Sequence, residues 1–583
     1  MVDIEGDSDL LERATWTADR GALFLANIAD TDQRCSSTIT DSTPNDQLDK
    51  CHDASDNVLR NPKFLAPLRT LPVTELSSAA TGSISVTGTG AEDKVRIFVK
   101  AGSEWEFVMS NHTFTAEELA DGLELGIDAR DVRRPNVWDG KATVQFSVTD
   151  GAKTASDEVA LRVAPVLTHH HAQEAERVFS TAQNYPIQNK YNEDLDINVA
   201  DAGISEPVFH FQRDIWTQDF FEPGYSSIPG PDGPIVLRIM IRSSQSGRPA
   251  GRQIFQFLRN ENVGAVQYLA SGGTLDSTGN LETIPPYTHD GKSYPAGRVI
   301  MGTYETERPY MLEFLEAQET QVPLELDTAW LIVGHVDEFL QFLPADNERG
   351  WVLMADDPMA GLDILKTASE AGHGDEPAFS RPQFPSDGGS CVPDRTIDEE
   401  LARPNMQSLN ELAAERIAGN IEILKRETGL TQEEIIRVPA IFYDWENTDS
   451  TRPCAAEALS SSAASRVNSV TANDDGHAPN ILEAVDVQGS RLNRRQDIPE
   501  TQLVAYYPGT INGVVMSDSF YLSPNPWGPV IDGEDIFAKA VTAAYEKAHY
   551  NVTYMDDWFS HHIGLGEIHC GTNTWRNTDT PWW

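Results

Sequence analysis

The sequence predicts a multidomain α+β protein, a β-sandwich followed by a larger α/β region. Two patterns predict it. Period-two apolar alternation occurs over about residues 80–165, and helix-like and strand-like segments alternate from about residue 175 onward. The length, 583 residues, leaves room for about three to five domain-sized units at roughly 100–200 residues each.

In the first region Ser83-Ile84-Ser85-Val86, Val95-Arg96-Ile97-Phe98-Val99 and Val144-Gln145-Phe146-Ser147-Val148 read as strands. A fourth run, Val159–Val163, follows the turn signal Asp150-Gly151. In the second region Ser408-x-x-Glu411 reads as a capping box. It would open a helix with Leu409, Leu412, Ala413, Ile417, Ile421 and Leu424 on its apolar face and Gly429 as its stop. Thr431-x-x-Glu434 predicts another helix start, followed by a strand over 438–443. A helix over 535–548 and a strand over 551–555 come later. Two stretches rich in Ser, Pro, Asp and Gly, about 371–405 and 447–500, read as long surface loops. The domain boundary is placed at 170/171.

Acidic residues number 90 against 44 basic ones, a net charge of -46. Such a surface repels nucleic acid and anionic membrane and attracts metal cations and cationic substrates. It also serves solubility. No run of 18 apolar residues offers a membrane span. The first residues, Met1-Val2-Asp3-Ile4-Glu5, do not form a secretory leader. The chain is then either cytoplasmic or a secreted protein whose leader has been removed. The five cysteines favour secretion. If Cys570 is a free thiol, four remain, and the pairings Cys35–Cys51 and Cys391–Cys454 each bracket a polar loop. The sequons at Asn111 and Asn551 agree with secretion. Residues 27–57 are dense in Asp and Asn, a composition that can supply the oxygen ligands of a hard cation, although not with EF-hand spacing. A solvated acidic loop is the alternative.

Three segments carry chemistry. They are Asp214-Ile215-Trp216-Thr217-Gln218-Asp219-Phe220-Phe221-Glu222, then Gly334-His335-Val336-Asp337-Glu338-Phe339, then Gly566-Glu567-Ile568-His569-Cys570-Gly571-Thr572-Asn573. Trp330–Val333 reads as a buried strand. If it continues, His335 and Asp337 project from one face as an acid/base pair. Otherwise they are ordinary polar residues at a strand end. A lone cysteine such as Cys570 is commonly a small buried hydrophobe. A setting of Gly, His and Asn suits an exposed functional turn better, and cysteine/histidine hydrolases in general would fit.

Together the three segments resemble the peptidylarginine deiminases. The resemblance extends to Gly279-Asn280-Leu281-Glu282, Tyr294-Pro295-x-Gly297-Arg298, Pro526-x-Gly528-Pro529-Val530-Ile531-x-Gly533 and the closing Trp582-Trp583. It covers nearly all of 180–583. Leu161-Arg162-Val163-Ala164-Pro165 and the Asp-rich loop are similar to that family's immunoglobulin-like domain and its calcium-binding segment. The resemblance implies an immunoglobulin-like domain over 1–170 and a five-bladed, pseudo-symmetric α/β propeller over 171–583, without the first domain of the animal enzymes.

It further implies Cys570 as nucleophile, Asp219 and Asp337 as the carboxylates that grip the guanidinium, and His335 as general acid/base. The chemistry needs such a set. A guanidinium is a flat, permanently charged fork of N–H donors that two carboxylates can hold in front of a sulfur. Trp216 would line the substrate's alkyl chain and Arg248 would bind the substrate's backbone carbonyl. Gln218, Glu222 and Glu282, with the carbonyls of Thr278 and Leu281, would bind Ca2+. Asp30, Asp32, Asp49, Asp53 and Asp56 are the ligand candidates of the first loop. Phe220, Ser243 and Gly247 stand where the animal enzymes hold a further calcium, so that site is expected to be missing. Ser246 replaces one of a pair of arginines that recognise the peptide backbone. The implied reaction is calcium-dependent conversion of peptidyl-arginine to peptidyl-citrulline. A deiminase of free arginine or a small guanidine, and a non-catalytic calcium-dependent binding protein, are the alternatives.

Overall fold

A computed structural model describes residues 12–17, 21–304, 307–448, 452–453 and 501–583. Two sheets form first. One has five strands, in the spatial order Ala22–Phe24, Lys153–Val163, Lys141–Asp150, Thr81–Thr87 and Phe114–Thr115. The other has four, in the order Ala66–Arg69, Glu124–Ala129, Val95–Ala101 and Glu104–Phe107. All four predicted strands lie within them. Register places Ile84 opposite Phe146 and Val86 opposite Val144. Along Thr81–Thr87 Gly82 and Ile84 are buried and their neighbours exposed, as expected of a sheet with one face on a core. Ile84 and Val144 from one sheet share a single apolar core with Ile97, Leu125 and Ile127 from the other. That core runs on into Leu237, Ile239, Met311 and Leu312, so the two-sheet unit is packed directly against the region that follows.

Among the described residues the remainder contains, beside four two-stranded pairs, five small sheets of one pattern. Their central strands are Ala175–Ala182, Ile235–Arg242, Arg298–Thr303, Trp351–Asp357 and Phe520–Pro524. Each has one antiparallel neighbour and one parallel neighbour. A parallel pair needs a crossover, and each crossover here carries a helical segment. These are Pro186–Asp201, Ile254–Leu258, Met311–Gln318, Pro358–Ala368 with Met406–Thr428, and Ile536–Glu546. The antiparallel partner of Ala175–Ala182 is the late strand Asn573–Arg576, so the end of the region returns to its beginning. Trp582 is buried there, with its indole N–H donating to the carbonyl of Ser227.

Several local expectations are corrected. The long helix begins at Met406, with Asn405 at its N-cap, and Ser408 lies inside its first turn, donating to the Asn405 carbonyl. Its buried face is the predicted one and it stops at Gly429 (φ 70°). Thr431 and Glu434 do form a capping box, but it opens only a single 3-10 turn before the strand Ile435–Pro439. Residues 371–405 are not a plain surface loop. They contain the helix Ile397–Leu401, and buried Arg381 binds Asp387 and Asp556 through two hydrogen bonds each. An ion pair buried this way pins a polar segment that composition alone reads as loose. Trp330–Val333 is not a strand either. Leu331 makes one isolated bridge to Leu503, and Gly334 (φ 81°) turns the chain into the 3-10 turn Val336–Glu338.

Cys35 and Cys51 are disulfide-bonded. Cys391 is also disulfide-bonded, while its expected partner Cys454 lies outside the described residues, as does most of 447–500. Among the described residues Cys570 is the free cysteine, and no helix is long and apolar enough to cross a membrane.

Candidate active site

The five sheets contribute to one site in the same way, through the residues just before each antiparallel strand. Cys570 precedes Asn573–Arg576, Asp219 precedes Phe221–Ile228, Gly279 precedes Leu281–Ile284, His335 and Asp337 precede Leu340–Pro344, and Asn512 precedes Val514–Val515. Residues 351 apart in sequence are thereby joined (Asn573 Nδ2 lies 3.5 Å from Glu222 Oε2).

The Cys570 thiol is buried, 3.7 Å from Asp337 Oδ2 and 3.3 Å from Asn512 Oδ1. Asn512 also donates to the Asp337 carbonyl at 3.1 Å. His569 donates from Nδ1 to Asp337 Oδ2 at 2.9 Å. His335 Nε2 lies 3.0 Å from the Thr274 carbonyl, which can only accept, so Nε2 carries the proton and Nδ1 faces Asp219 Oδ1 at 3.9 Å. The Glu338 carboxylate accepts from the His335 backbone N–H at 2.8 Å and fixes the turn.

Among the buried polar atoms without a hydrogen-bond partner in the described residues are three of this cluster: Asp219 Oδ1, His335 Nδ1 and Asp337 Oδ1. Buried polar groups are normally satisfied, and orphans call for an explanation. Gly279 keeps the space beside two of them open. A Cβ there would come within 2.7 Å of Asp219 Oδ1 and 2.8 Å of His335 Nδ1. Gly566 does the same where Trp216 meets Cys570, since a Cβ would lie 3.1 Å from Cys570 Cβ and against the indole. Trp216, Ile215 and Cys570 form a small apolar cluster there.

Arg248 is not free at the mouth of the site. Its guanidinium binds Asp214 (Nε to Oδ2, 2.6 Å) and donates from Nη1 to Asp219 Oδ2 at 2.9 Å. Burial works against its charge, but the two carboxylates outweigh burial and hold it above its usual range. Burial also pushes the Cys570 thiol well up, and the charges of Asp337 and Asp219 push it further. The resting sulfur is therefore a thiol, and a cation placed between the carboxylates would reverse their effect.

Beside this cradle Gln218 Nε2 donates to Glu222 Oε2 (3.1 Å) and the Thr278 carbonyl (3.4 Å). Leu281 and Glu282 open the next strand. Burial raises Glu282 to about 7, partly offset by His569 and reinforced by Asp337. Burial, then the charge of Glu282, raises Glu222 well above the carboxylate range. Two buried carboxylates, an amide oxygen and nearby backbone carbonyls suit a hard cation. Phe220 is fully buried against Phe211 and Phe221 and offers no ligand.

The Asp-rich loop is held differently. Asp30 accepts from the backbone N–H of Cys35 and Ser36, Asp53 from Thr31, Asp49 from Arg134, and Asp56 from Arg60 through two bonds. Asp32 sits in a left-handed turn (φ 59°). Fully buried Arg96 pairs with Asp128 and donates to the carbonyls of Asp53, Asp56 and Val58. Asp30, Asp49, Asp53 and Asp56 are each engaged by protein donors.

A family model, Protein-arginine deiminase (PAD), matches residues 153–583. The chain belongs to the protein-arginine deiminase family. Similar proteins include human protein-arginine deiminase type-1, 28% identical over 446 residues, covering 73% of this chain and 57% of that protein. Rattus norvegicus type-4 is 30% identical over 385 residues, covering 64% of this chain and 48% of that protein. The chain thus spans about half the length of these relatives. Among solved structures, a C. jejuni agmatine deiminase with substrate bound matches over 71% of this chain and 96% of its own, at 8% identity and a TM-score of 0.34, a likeness too weak to define the fold.

Within this deiminase-family site, Asn512, His569, Glu338, Thr274 and Gly279 are additions to the residues expected from sequence. His569 and Glu338 were visible as neighbours inside the motifs. Gly279 lay in a motif without an assigned role. Asn512 carried no local signal, because its part depends on the fifth sheet bringing it to Cys570.

Proposed function

We propose that this chain is a calcium-dependent, secreted protein-arginine deiminase that hydrolyses the guanidinium of peptidyl-arginine to citrulline and ammonia. One observation supports it most. Two unpartnered carboxylate oxygens and an unpartnered imidazole nitrogen, all buried, lie around a buried thiol. An arginine fork would satisfy Asp219 and Asp337 together and put its central carbon in front of sulfur.

In this reading substrate charge compensates the carboxylates and favours the thiolate. Sulfur attacks the guanidinium carbon. The thiol proton passes to His335 Nδ1 in that step, and His335 then gives it to a guanidinium nitrogen, whose bond to carbon breaks so that it leaves as ammonia, and a thiouronium remains on Cys570. His335 next takes a proton from water, water adds to the same carbon, and sulfur departs as the urea oxygen forms. Asn512 and His569 act as positioning residues for Cys570 and Asp337. Calcium, when bound by Gln218, Glu222, Glu282 and the carbonyls of Thr278 and Leu281, supplies charge that compensates the buried carboxylates and orders the segment carrying Asp219 and Trp216. The five sheets of one pattern support a five-bladed propeller, and the two sheets over one core support an immunoglobulin-like domain. The disulfide and the exposed sequon residues Asn111 and Asn551 support secretion.

Arg248 favours a second reading. Because it is engaged with Asp214 and Asp219 and Ser246 replaces its expected companion, a free guanidine is the alternative substrate. Citrulline release from a blocked arginine peptide and from free arginine, each with calcium and with chelator, separates them. Turnover of the peptide only, lost with chelator, supports the proposal. An inactive chain with calcium present sinks it.

A further inference from the structure

We propose that His171, His569 and Glu282 form a second, transition-metal site, of zinc type, that shares Glu282 with the calcium set. His171 follows His169 and His170, and these three are not equivalent. His169 is tied to Gln173, whereas His171 Nε2 is turned to Glu282 Oε2 at 4.0 Å. His569 Nε2 approaches the other oxygen, Oε1, at 3.6 Å. The two imidazoles and the carboxylate place their ligand atoms within 4.8 Å of one another. A zinc ion with bonds of about 2.0–2.1 Å needs tetrahedral ligands about 3.3 Å apart, so the ligand atoms need close by no more than about 1.5 Å.

The imidazoles are oriented for this role. His171 Nδ1 donates to the Phe342 carbonyl at 3.0 Å, and His569 Nδ1 donates to Asp337 at 2.9 Å. With both Nδ1 atoms engaged as donors, Nε2 is the ligand atom that each ring turns toward Glu282. Metal-binding histidines almost always show this outer arrangement, a carbonyl or carboxylate on the far nitrogen. Calcium takes oxygen and has little use for imidazole, whereas zinc and cobalt take imidazole readily. The same carboxylate can therefore turn toward either metal. Occupation by zinc would withdraw Glu282 from calcium and load His569, the partner of Asp337 in the guanidinium cradle. Zinc then antagonises calcium, and the antagonism runs through the shared carboxylate.

The test reads cobalt binding rather than turnover. Cys570→Ala protein, which removes the free thiolate as a competing ligand, is titrated with cobalt(II) while visible ligand-field absorption is followed. One equivalent should bind, without a sulfur charge-transfer band, and added calcium should displace it. His171→Ala and His171→Asn should each weaken cobalt binding by about 100-fold or more. The asparagine variant can still donate to the Phe342 carbonyl and guards against a folding defect. Parent-like cobalt binding in both variants, no binding in the parent, or binding indifferent to calcium would each overturn the proposal. Because this protein cannot turn over, failure here is distinct from failure of the deiminase reading.

Discussion

Glu282 is where metal, stability and chemistry meet, and its replacement by glutamine gives a sharp prediction. In the folded chain burial holds its carboxyl protonated up to about pH 7, against 4.5 ordinarily. The unfolded chain releases that proton near 4.5. The folded state therefore binds the extra proton between those limits, and stability falls as pH rises from 4.5 through 7. The shift of about 2.5 units corresponds to about 3 kcal/mol by pH 8, at roughly 1.4 kcal/mol per unit. Calcium repays this by meeting the ionised carboxylate. Glutamine never ionises, so Glu282→Gln should stabilise the metal-free protein at pH 8 by up to about 3 kcal/mol. At pH 5 it should gain less than about 1 kcal/mol, and it should lose most of the calcium-induced stabilisation. Denaturant unfolding at both pH values, with chelator and with calcium, reads all three. A variant less stable than the parent at pH 8 in chelator, or one whose response to calcium is intact, refutes the reasoning.

Asp337→Asn should abolish citrulline formation yet speed alkylation of Cys570 by iodoacetamide at pH 7.5, by about 10-fold or more. The charge removed lies 3.7 Å from sulfur and holds the thiol protonated. Unchanged or slower alkylation would count against the electrostatic account. Gly279→Ala should leave the melting temperature close to that of the parent, because its backbone lies outside the left-handed region, while lowering turnover by about 100-fold or more through the methyl pressed on Asp219 and His335. Thiol titration of the wild-type chain in denaturant without reductant should find one thiol, Cys570. Reduction of Cys35–Cys51, which closes a separation of 16 residues, should destabilise by about 3 kcal/mol.

The strands of the first region were legible because one face of each sheet is dry, and period two reports that directly. The residues proposed to be catalytic were legible through local motifs. The five-sheet pattern was not, because each unit conserves a strand order rather than residues. A helical segment of five residues, Ile254–Leu258, does for one sheet what Met406–Thr428 does for another. His335 and Asp337 do not project from one face of a strand. Strand alternation does not bring them to the site; the left-handed Gly334 and a 3-10 turn do. Asn512 and Arg381 had no sequence signature at all, since each depends on a partner more than 50 residues away.

The arrangement ties each of the two carboxylates proposed to bind the guanidinium to the proposed calcium set by a separate route. Asp219 lies on the short helix Thr217–Phe220 with Gln218, and Glu222 follows immediately. Asp337 is bound by His569, whose other nitrogen faces Glu282. A cation held by Gln218, Glu222 and Glu282 thus acts on one carboxylate through the backbone and on the other through an imidazole. Neither route requires calcium to touch substrate. At calcium concentrations high enough to restore binding, a protein in which Glu282 is silenced should keep the first route and lose the second, so Asp219 would be ordered by metal while Asp337 would not. The coupling therefore divides at His569, and Glu282→Gln tests that division alongside stability.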